Sequence, residues 1–493
     1  LAAVDPPRLT LLRDPMAVRP MFWRDLGGGA VAWANWPHAL LALPDAPRDP
    51  DPQALGRYMR DWRAPTPQGT LWPGLNRLPA GHRLTADAQG ARAVRWWRPG
   101  ADPALAGLRP SAALVLLRDR LAQAVLSRRA RVGGDPGALY SGGLDSSMVA
   151  GVLMGARPEG PLRLYALSSD RTEEDRLCRA AFGARWPAST LTEVPPGEVD
   201  PLEGPVHLWG RLAAPCADTS LPLISQAMRR AAQTGEAALL DGFGGDFQIS
   251  ALGESTLIEA LLSARFGLAA DAWRAMRRAG MGRRNLIALR LLAPLPGLAG
   301  AAALAAHGTE RRPTPLRQAY DLRRTDRLPL RQRSADVEAM VMHQDVYPGE
   351  QELWDRPGAP PDQMPRLSPL LDTRLMSAIA GAPAALRVAG GWHRALPRAL
   401  LDGLAPDEIR RRRGKNPTQP ETWARAAQAM RARPDAWRAF REDPLWREVI
   451  DVEAADALYA ALESRRDFAA MRPVAAAWHL GEFLRLAAAG GPP

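Results

Sequence analysis

The sequence contains little cysteine. Its 493 residues include only Cys178 and Cys216. Two thiols cannot build a disulfide framework or a four-thiolate metal site, so both of these classes are excluded. Scarce cysteine is typical of a protein from a reducing compartment, and we predict a cytoplasmic location.

Long hydrophobic runs are also missing. The most apolar stretch, residues 291–306, is interrupted by Pro294 and Pro296. A membrane-spanning helix needs about 20 apolar residues, so we predict no membrane span. No charged segment followed by an apolar one opens the chain, and we predict no signal peptide. Because the chain begins with Leu1 rather than Met, we expect residues to be missing upstream.

Acidic residues are outnumbered by basic ones, which gives a net charge of +11 at neutral pH. Almost all of the basic residues are arginine, with a lone lysine at position 415. We interpret the excess first as a solvated face, for example at Arg410–Arg413, then as attraction to an anionic ligand, and last as nucleic-acid binding. A hydrophobic share of 46% indicates a globular protein, and the length favours two or three domains.

The residue pattern divides the chain into three parts. Residues 1 to about 100 have short apolar runs between turn signals, which predicts a β-rich unit. A helix is predicted over 108–129, followed by predicted strands at 137–140, 162–168 and 237–240 that alternate with helices. This alternation favours a parallel, doubly wound sheet. After about residue 250 the strand signals vanish and helical periodicity continues to the C-terminus.

The strongest motif is the segment Tyr140–Ser147, which lies between a predicted strand and a helix expected from Met148 onward. Its two glycines let bare N–H groups approach a ligand, and the helix N-terminus adds a positive dipole. It has no Gly-Lys-Ser/Thr ending, so γ-phosphate transfer is not implied. Asp145 inside such a pyrophosphate cradle requires a bridging cation, for which Mg²⁺ is suited.

A second glycine-rich loop, Leu239–Asp246, also follows a predicted strand. Its carboxylate, Asp246, would lie at the same edge of a parallel sheet as Asp145. We therefore predict that the two carboxylates converge on one metal ion at a switch point of the sheet.

These two loops resemble the pyrophosphate loop and the second metal loop of the asparagine synthetase superfamily of ATP pyrophosphatases. Other segments agree in order: Arg13-Asp14 with its following Pro20, Leu78–His82, Ser368–Asp372, and Arg413-Gly414-Lys415. The resemblance implies an α/β fold with a partial glutaminase-like (Ntn-type), β-rich domain over 1–105, expected to be truncated and inactive. A doubly wound, parallel-sheet ATP pyrophosphatase domain (adenine nucleotide α-hydrolase-like) with a helical C-terminal half is expected over 106–493, including a peptide-binding part at about 250–360.

Within the superfamily, the sequence is most similar to lasso peptide macrolactam synthetases. The similar segments are Leu367–Leu371, Gly390–Arg398 and Pro406–Ile409. A glutaminase of this superfamily needs cysteine as its first mature residue, and both cysteines here lie in the synthetase half. The resemblance implies ATP and Mg²⁺ as cofactors, a leader-free core peptide as substrate, and a leader-binding element and a leader peptidase as partners. An Asp or Glu side chain of the peptide would be adenylated and attacked by its N-terminal amine, with release of AMP and pyrophosphate.

The resemblance also assigns roles to residues. Lys415 would be catalytic, together with the metal ligands Asp145 and Asp246. The expected nucleotide contacts are Leu139, Ser141, Gly142, Gly143, Asp145, Ser146, Ser147, Leu167 and Gly242. In β-lactam synthetases a tyrosine at the position of Phe243 helps to deprotonate the attacking amine, so this chain needs another base. The candidates are Glu350, Glu352 and His393, whereas Glu174 is expected to be structural.

Three other interpretations stay open. One is another amide ligase of the superfamily, of the β-lactam synthetase or asparagine synthetase type. A tRNA-thiolating pyrophosphatase would use the same first loop, but Cys178 and Cys216 lack the paired spacing it needs. A basic nucleic-acid-binding protein would show salt-sensitive affinity and no use of ATP.

Overall fold

A computed structural model describes most of the chain. It covers residues 2–5, 8–16, 18–61, 68–98, 100–167, 172–195, 200–202, 214–215, 221–247, 249–250, 256–292, 316–317, 364–412, 420–463 and 468–489. Most of the predicted peptide-binding part at 250–360 lies outside these ranges.

Two antiparallel sheets form the N-terminal part. Their strands are β1 (Ala2–Asp5), β2 (Arg8–Leu12), β3 (Phe22–Gly27), β4 (Ala30–Ala34), β5 (Asn76–Arg77), β6 (His82–Asp87) and β7 (Gly90–Arg95). One sheet has the order β1-β2-β6-β7 and the other β4-β3-β5. Helices α1 (Pro37–Leu41) and α2 (Pro52–Asp61) lie between β4 and β5 in the chain. The predicted β-rich unit is confirmed.

The central part contains a parallel sheet. Its strands are β8 (Gly137–Leu139), β9 (Leu162–Leu167), β10 (Ser189–Val194), β11 (Leu239–Leu240) and β12 (Arg366–Leu367), in the order β10-β9-β8-β11-β12. Every pairing in this sheet is parallel. The strand order reverses between β8 and β11, so the switch point lies where the two predicted loops leave the sheet.

Helices cover both faces of this sheet, as a doubly wound fold requires. They are α3 (Pro110–Arg129), α4 (Leu144–Ala156), α5 (Glu173–Arg185) and α6 (Leu221–Gln233). Leu117, Leu121 and Val125 of α3 are fully buried in one core with α4 and α5. Helix α6 packs in another core with Tyr165 of β9, on the opposite face.

Helices dominate the remaining described residues. They are α7 (Thr256–Leu262), α8 (Phe266–Arg278), α9 (Arg283–Leu286), α10 (Thr373–Gly381), α11 (Ala395–Leu400), α12 (Asp407–Arg410), α13 (Pro420–Arg431), α14 (Pro434–Glu442), α15 (Pro444–Val449), α16 (Val452–Ala460) and α17 (Phe468–Ala488). The last five share one hydrophobic core with the N-terminal part, in which Trp72 meets Phe483 edge-on with ring centroids 6.3 Å apart. Across the described residues, no helix is long and apolar enough to cross a membrane.

The sequence prediction missed strand β10 and differs from the structure in two further details. The parallel sheet gains β12 well beyond residue 250, because Arg366–Leu367 is too short to give a strand pattern. Helix α4 begins at Leu144 and not at Met148, so Asp145, Ser146 and Ser147 form its first turn. Tertiary packing stabilises this helix, because seven of its apolar residues are buried: Leu144, Met148, Val149, Ala150, Val152, Leu153 and Met154.

Candidate active site

The first loop is braced by its own hydroxyl groups. Ser141 Oγ accepts a hydrogen bond from Gly143 N at 3.2 Å, and it lies 3.1 Å from Ser146 Oγ. Gly142 has a φ of +78°, which glycine adopts without strain. The loop thereby leads directly into the N-terminus of α4, where unpaired N–H groups and the helix dipole favour an anion.

Ser147 has a different environment from the other predicted nucleotide contacts. Its side chain is fully buried, and its hydroxyl donates to Tyr140 Oη at 3.3 Å. Burial raises the pKa of the Tyr140 phenol, so this pair stays neutral at physiological pH. These contacts support the loop from the core side and argue against a direct nucleotide contact for the Ser147 hydroxyl.

The second loop lies against the first turn of α4. A Cβ atom at Gly242 would be 2.6 Å from Ser146 N, and one at Gly245 would be 2.4 Å from Asp145 Oδ1. No side chain fits at either position without displacement of its neighbours. The two glycine-rich loops predicted from sequence therefore meet at the switch point of the sheet.

The two predicted metal ligands have different partners. Asp145 Oδ1 accepts a hydrogen bond from Ser250, a buried residue whose N–H donates to the Gly245 carbonyl at 2.8 Å. Asp246 Oδ1 accepts from Arg394 Nη2 at 3.0 Å. The structure thus places both carboxylates at the meeting point of the loops, each already in a polar contact.

The donor set is compatible with Mg²⁺. Among the described residues, no group of three or more His, Cys, Asp and Glu side chains is placed to hold a metal ion. Mg²⁺ that is bound through phosphates needs one or two carboxylates, and Asp145 and Asp246 supply that number. They would hold the ion together with phosphate oxygens of ATP.

A buried arginine connects the first loop to the C-terminal half. Arg412 Nη1 donates to the Gly142 carbonyl at 3.3 Å, and Nη2 lies 2.7 Å from Asp175 Oδ1. Its Nε is 3.6 Å from Glu174 Oε2, which gives Glu174 a structural contact. The interpretation of Arg410–Arg413 as a solvated face is wrong for Arg412, which is 8% exposed because its charge is matched inside the fold. Sequence periodicity did not distinguish it from its exposed neighbour Arg411.

A second arginine, Arg398, donates hydrogen bonds to backbone carbonyls that precede and follow it in the chain. Its guanidinium donates to the carbonyls of His393 at 3.2 Å and of Arg412 at 2.7 Å, and also to that of Arg410. It also lies over the ring of Trp392, 5.0 Å from the centroid. Arg398 therefore ties the segment Gly390–Arg398 to the chain that leads toward position 415.

The position of Phe243 is set by a buried ion pair. Asp241 Oδ1 accepts from Phe243 N at 2.9 Å, and Asp241 Oδ2 pairs with Arg366 at the start of β12. The Arg366 guanidinium lies 5.6 Å from the Phe243 ring centroid. Phe243 is thus part of the second loop, but it has no hydroxyl with which to move a proton.

The other predicted residues fall into two groups. Leu139 and Leu167 lie at the carboxyl ends of β8 and β9 and pack in the core that covers one face of the sheet. His393 is buried beside the site, and its role as a base stays a prediction. Three predicted residues lie outside the described ones: Lys415, Glu350 and Glu352.

Several residues at the site were not predicted from the sequence. They are Asp241, Ser250, Arg366, Arg394, Arg398 and Arg412. Arg394 and Arg398 lie in a segment whose similarity to macrolactam synthetases was noticed, but no spacing rule indicated which of its side chains reach the loops. The contact of Arg394 with Asp246 joins positions 148 residues apart, and a single sequence gives no signal for such a pair. The contacts of Arg398 are with residues 5 to 14 positions away, but they involve backbone carbonyls, which no residue pattern marks.

The fold and the site together define a class. The parallel sheet is doubly wound, and two glycine-rich loops that carry carboxylates lie at its switch point. These features are typical of nucleotide-binding α/β proteins. An antiparallel, β-rich unit precedes it in the chain.

Comparison with known families identifies the class more closely. The asparagine synthase family model matches residues 116–480, and the glutamine amidotransferase domain model matches residues 4–97. No curated protein matches the chain. Because the first match covers more than half of the chain, the protein belongs to the asparagine synthase family, as the sequence motifs predicted at the level of the superfamily. It is an ATP-dependent amidating ligase.

Proposed function

We propose that this ligase closes a macrolactam ring in a lasso peptide. ATP would adenylate an Asp or Glu side chain of a leader-free core peptide, with release of pyrophosphate. The N-terminal amine of the same peptide would then attack the acyl carbon, and AMP would leave as the amide bond forms. A leader-binding element and a leader peptidase would supply the substrate.

The observation that carries this proposal is the position of the segment Gly390–Arg398. This segment gives the sequence its similarity to macrolactam synthetases, and it contacts the site directly. Arg394 pairs with Asp246 of the second loop at 3.0 Å, and Arg398 holds the carbonyl of Arg412 at 2.7 Å. These contacts support the proposal, because the segment that resembles macrolactam synthetases contacts the second loop, where we propose that ATP and Mg²⁺ bind.

The composition supports the role proposed for Lys415. It is the only lysine of the chain, which uses arginine at every other basic position. A sequence that replaces lysine with arginine so thoroughly, yet has lysine at the position of the family's Arg-x-Lys motif, indicates a specific need for an ammonium group there. An ammonium is a compact point charge, whereas a guanidinium is a planar fork. Such a charge would stabilise the α-phosphate as negative charge develops on it.

The first loop and α4 supply the other part of the proposed chemistry. The backbone N–H groups at the start of α4 and the hydroxyls of Ser141 and Ser146 would bind the pyrophosphate part of ATP. Mg²⁺, held by Asp145 and Asp246, would neutralise charge on the phosphates. Ring closure is intramolecular, so holding amine and acyl carbon in contact would contribute much of the rate enhancement.

The proposal is tested with the purified chain, ATP, Mg²⁺ and a synthetic core peptide encoded beside its gene. We expect AMP and pyrophosphate to appear together with a peptide that has lost the mass of one water. A peptide with an acetylated N-terminus should give no ring, because its amine is blocked. Lys415→Arg and Asp145→Asn should each lower the rate at least a hundredfold while leaving the melting temperature close to that of the wild type.

Other outcomes would point to other substrates. Amidation of free aspartate, or closure of a small β-amino acid, in place of the peptide would overturn the macrolactam proposal in favour of an asparagine synthetase or β-lactam synthetase activity. Full activity in Lys415→Arg would overturn the role of the ammonium. Membership in the asparagine synthase family favours the three amide-forming activities over the nucleic-acid-binding alternative, since a nucleic-acid-binding protein of that kind would not use ATP.

A further inference from the structure

The ion pair between Arg394 and Asp246 is accessible to solvent. The Asp246 side chain is 39% exposed and that of Arg394 is 17% exposed. An accessible pair of this kind contributes little to stability, since water and salt screen it. A ligand with a stronger charge can therefore separate the two side chains at low cost.

The backbone of Arg394 is unusual. Within the described part of the chain, Ala264 and Arg394 are the residues other than glycine with a positive φ, and that of Arg394 is +55°. A side chain with a Cβ atom disfavours this left-handed conformation. Arg394 keeps it at the N-terminal end of α11, directly beside the second loop. A strained residue at the edge of a ligand site is a candidate for a functional role.

The positive charge around Arg394 exceeds what Asp246 neutralises. Arg394 Nε is buried and has no hydrogen-bond partner among the described residues. Arg398 lies close by, and its guanidinium donates to backbone carbonyls, which carry no full charge. Burial and the charge of Arg394 lower the pKa of Arg398 to about 10, so it remains a cation at neutral pH. Arg398 thus adds a positive charge beside the Arg394–Asp246 pair, and this arrangement suits a polyanion.

We propose that Arg394 is a phosphate-binding residue that changes partner when ATP binds. In the ATP-free protein it holds the carboxylate of Asp246. Once Mg²⁺ binds Asp246, the Arg394 guanidinium donates instead to the β- and γ-phosphates, where it stabilises the leaving pyrophosphate. This inference rests on the part of the proposed function that assigns the site to ATP and Asp246 to Mg²⁺, and it does not depend on the peptide.

The exchange predicts opposite changes in two affinities. Calorimetry on the full chain would measure binding of Mg²⁺ alone and of magnesium pyrophosphate. In Arg394→Gln, Mg²⁺ alone should bind more tightly, because the Arg394 guanidinium no longer competes for Asp246. Magnesium pyrophosphate should bind about tenfold or more weakly, because charge-assisted hydrogen bonds to phosphate are lost. A residue that only caps α11 would move both affinities together or neither.

Two further variants control the experiment. Arg438→Gln removes an exposed arginine that pairs with Asp435 on α14, away from the site, and should change neither affinity. Arg394→Lys keeps the charge but loses the planar fork, and its affinity for magnesium pyrophosphate should lie between those of the wild type and Arg394→Gln. Thermal melting of each variant checks that it is folded.

Each remaining outcome has a defined meaning. Unchanged binding of magnesium pyrophosphate in Arg394→Gln, or a parallel fall of both affinities in a folded variant, overturns the exchange. A wild-type chain that binds no magnesium pyrophosphate overturns both the exchange and the ATP site. Opposite affinity changes in a protein that fails to cyclise the peptide leave the exchange standing and overturn only the proposed substrate.

Discussion

At the scale of single residues, Gly245 is one of the two glycines that set how closely the two loops approach. A Cβ atom at Gly245 would lie 2.4 Å from Asp145 Oδ1, which is far inside van der Waals contact. Neither loop shows this constraint by itself, because the two segments are about 100 residues apart in the chain. Both loops were predicted from the sequence, and the structure shows that their contact requires a residue without a side chain at position 245.

We therefore expect Gly245→Ala to displace Asp145 from its contact with Ser250. The variant should lose most of its affinity for MgATP, since the displaced carboxylate is a proposed metal ligand. Strain from the added methyl group should lower the free energy of unfolding by about 1–3 kcal/mol. Calorimetric titration with MgATP and a denaturant melt would measure the two effects.

The matched control is Gly183→Ala. Gly183 lies in helix α5, and nothing is within 4 Å of the place where its Cβ would be. Alanine there should bind MgATP normally and stabilise the chain by about 0.5–1 kcal/mol. Normal MgATP binding by Gly245→Ala would show that the proposed site does not need Asp145 in this position.

At the scale of elements, the start of helix α10 depends on one carboxylate. Asp372 is its N-cap and accepts hydrogen bonds from the backbone N–H groups of Arg374 at 2.9 Å and Leu375 at 3.3 Å. It also pairs with Arg128 of α3. This element was recognised from the segment Ser368–Asp372, but its link to α3 needed the tertiary structure.

The charge of Asp372 should make the stability of the chain dependent on pH. Burial alone would raise the pKa of this carboxyl, but hydrogen bonds from Arg374 and Arg128 outweigh it and lower the pKa to about 2. The stabilisation is complete above the unfolded value of 3.8 and is lost as the pH falls through about 2. After allowance for screening of the exposed Arg374, it amounts to about 1–2 kcal/mol.

Denaturant midpoints between pH 2 and pH 7 would measure this contribution. Asp372→Asn should be less stable at pH 7 and should lose less stability than the wild type between pH 4 and pH 2. Asp435→Asn, which changes an 86% exposed side chain in the surface pair with Arg438, serves as the control and should follow the wild type. Equal acid sensitivity of Asp372→Asn and the wild type would contradict the assignment.

At the scale of the whole molecule, the N-terminal part and the last helices share one core. Trp72 is 7% exposed and lies against Phe483 of α17, while Leu55 of α2 belongs to the same cluster. The sequence predicted a truncated and inactive unit over 1–105. Its shared core gives this unit a structural role, because the C-terminal helices bury their apolar faces against it.

We expect Trp72→Ala to destabilise both parts together. Removing a buried tryptophan costs about 3–5 kcal/mol, and the cavity would border both parts. Thermal melting should show one transition at lower temperature, and limited proteolysis should cut residues 420–488 sooner than in the wild type. Trp33→Ala, at a 40% exposed position on β4, should have little effect. A separate early transition confined to the N-terminal part would show that the two parts do not depend on each other.

The sequence alone determined the class of fold and the two loops of the site. Strand-helix alternation and glycine-rich turns are local patterns, so β8, β9 and β11 and the segments Tyr140–Ser147 and Leu239–Asp246 were recognisable without coordinates. The motifs also predicted the superfamily, which the family comparison confirms.

The tertiary structure alone decided which charges meet at the site. The pairs Arg394–Asp246, Arg412–Asp175 and Arg366–Asp241 join distant segments. Each depends on the three-dimensional path of the chain, and in a protein with so many arginines no local pattern marks the few that are used. For this reason we interpreted the positive charge first as a solvated face, whereas the fold buries part of that charge, including Arg412 and Arg366, next to the two glycine-rich loops.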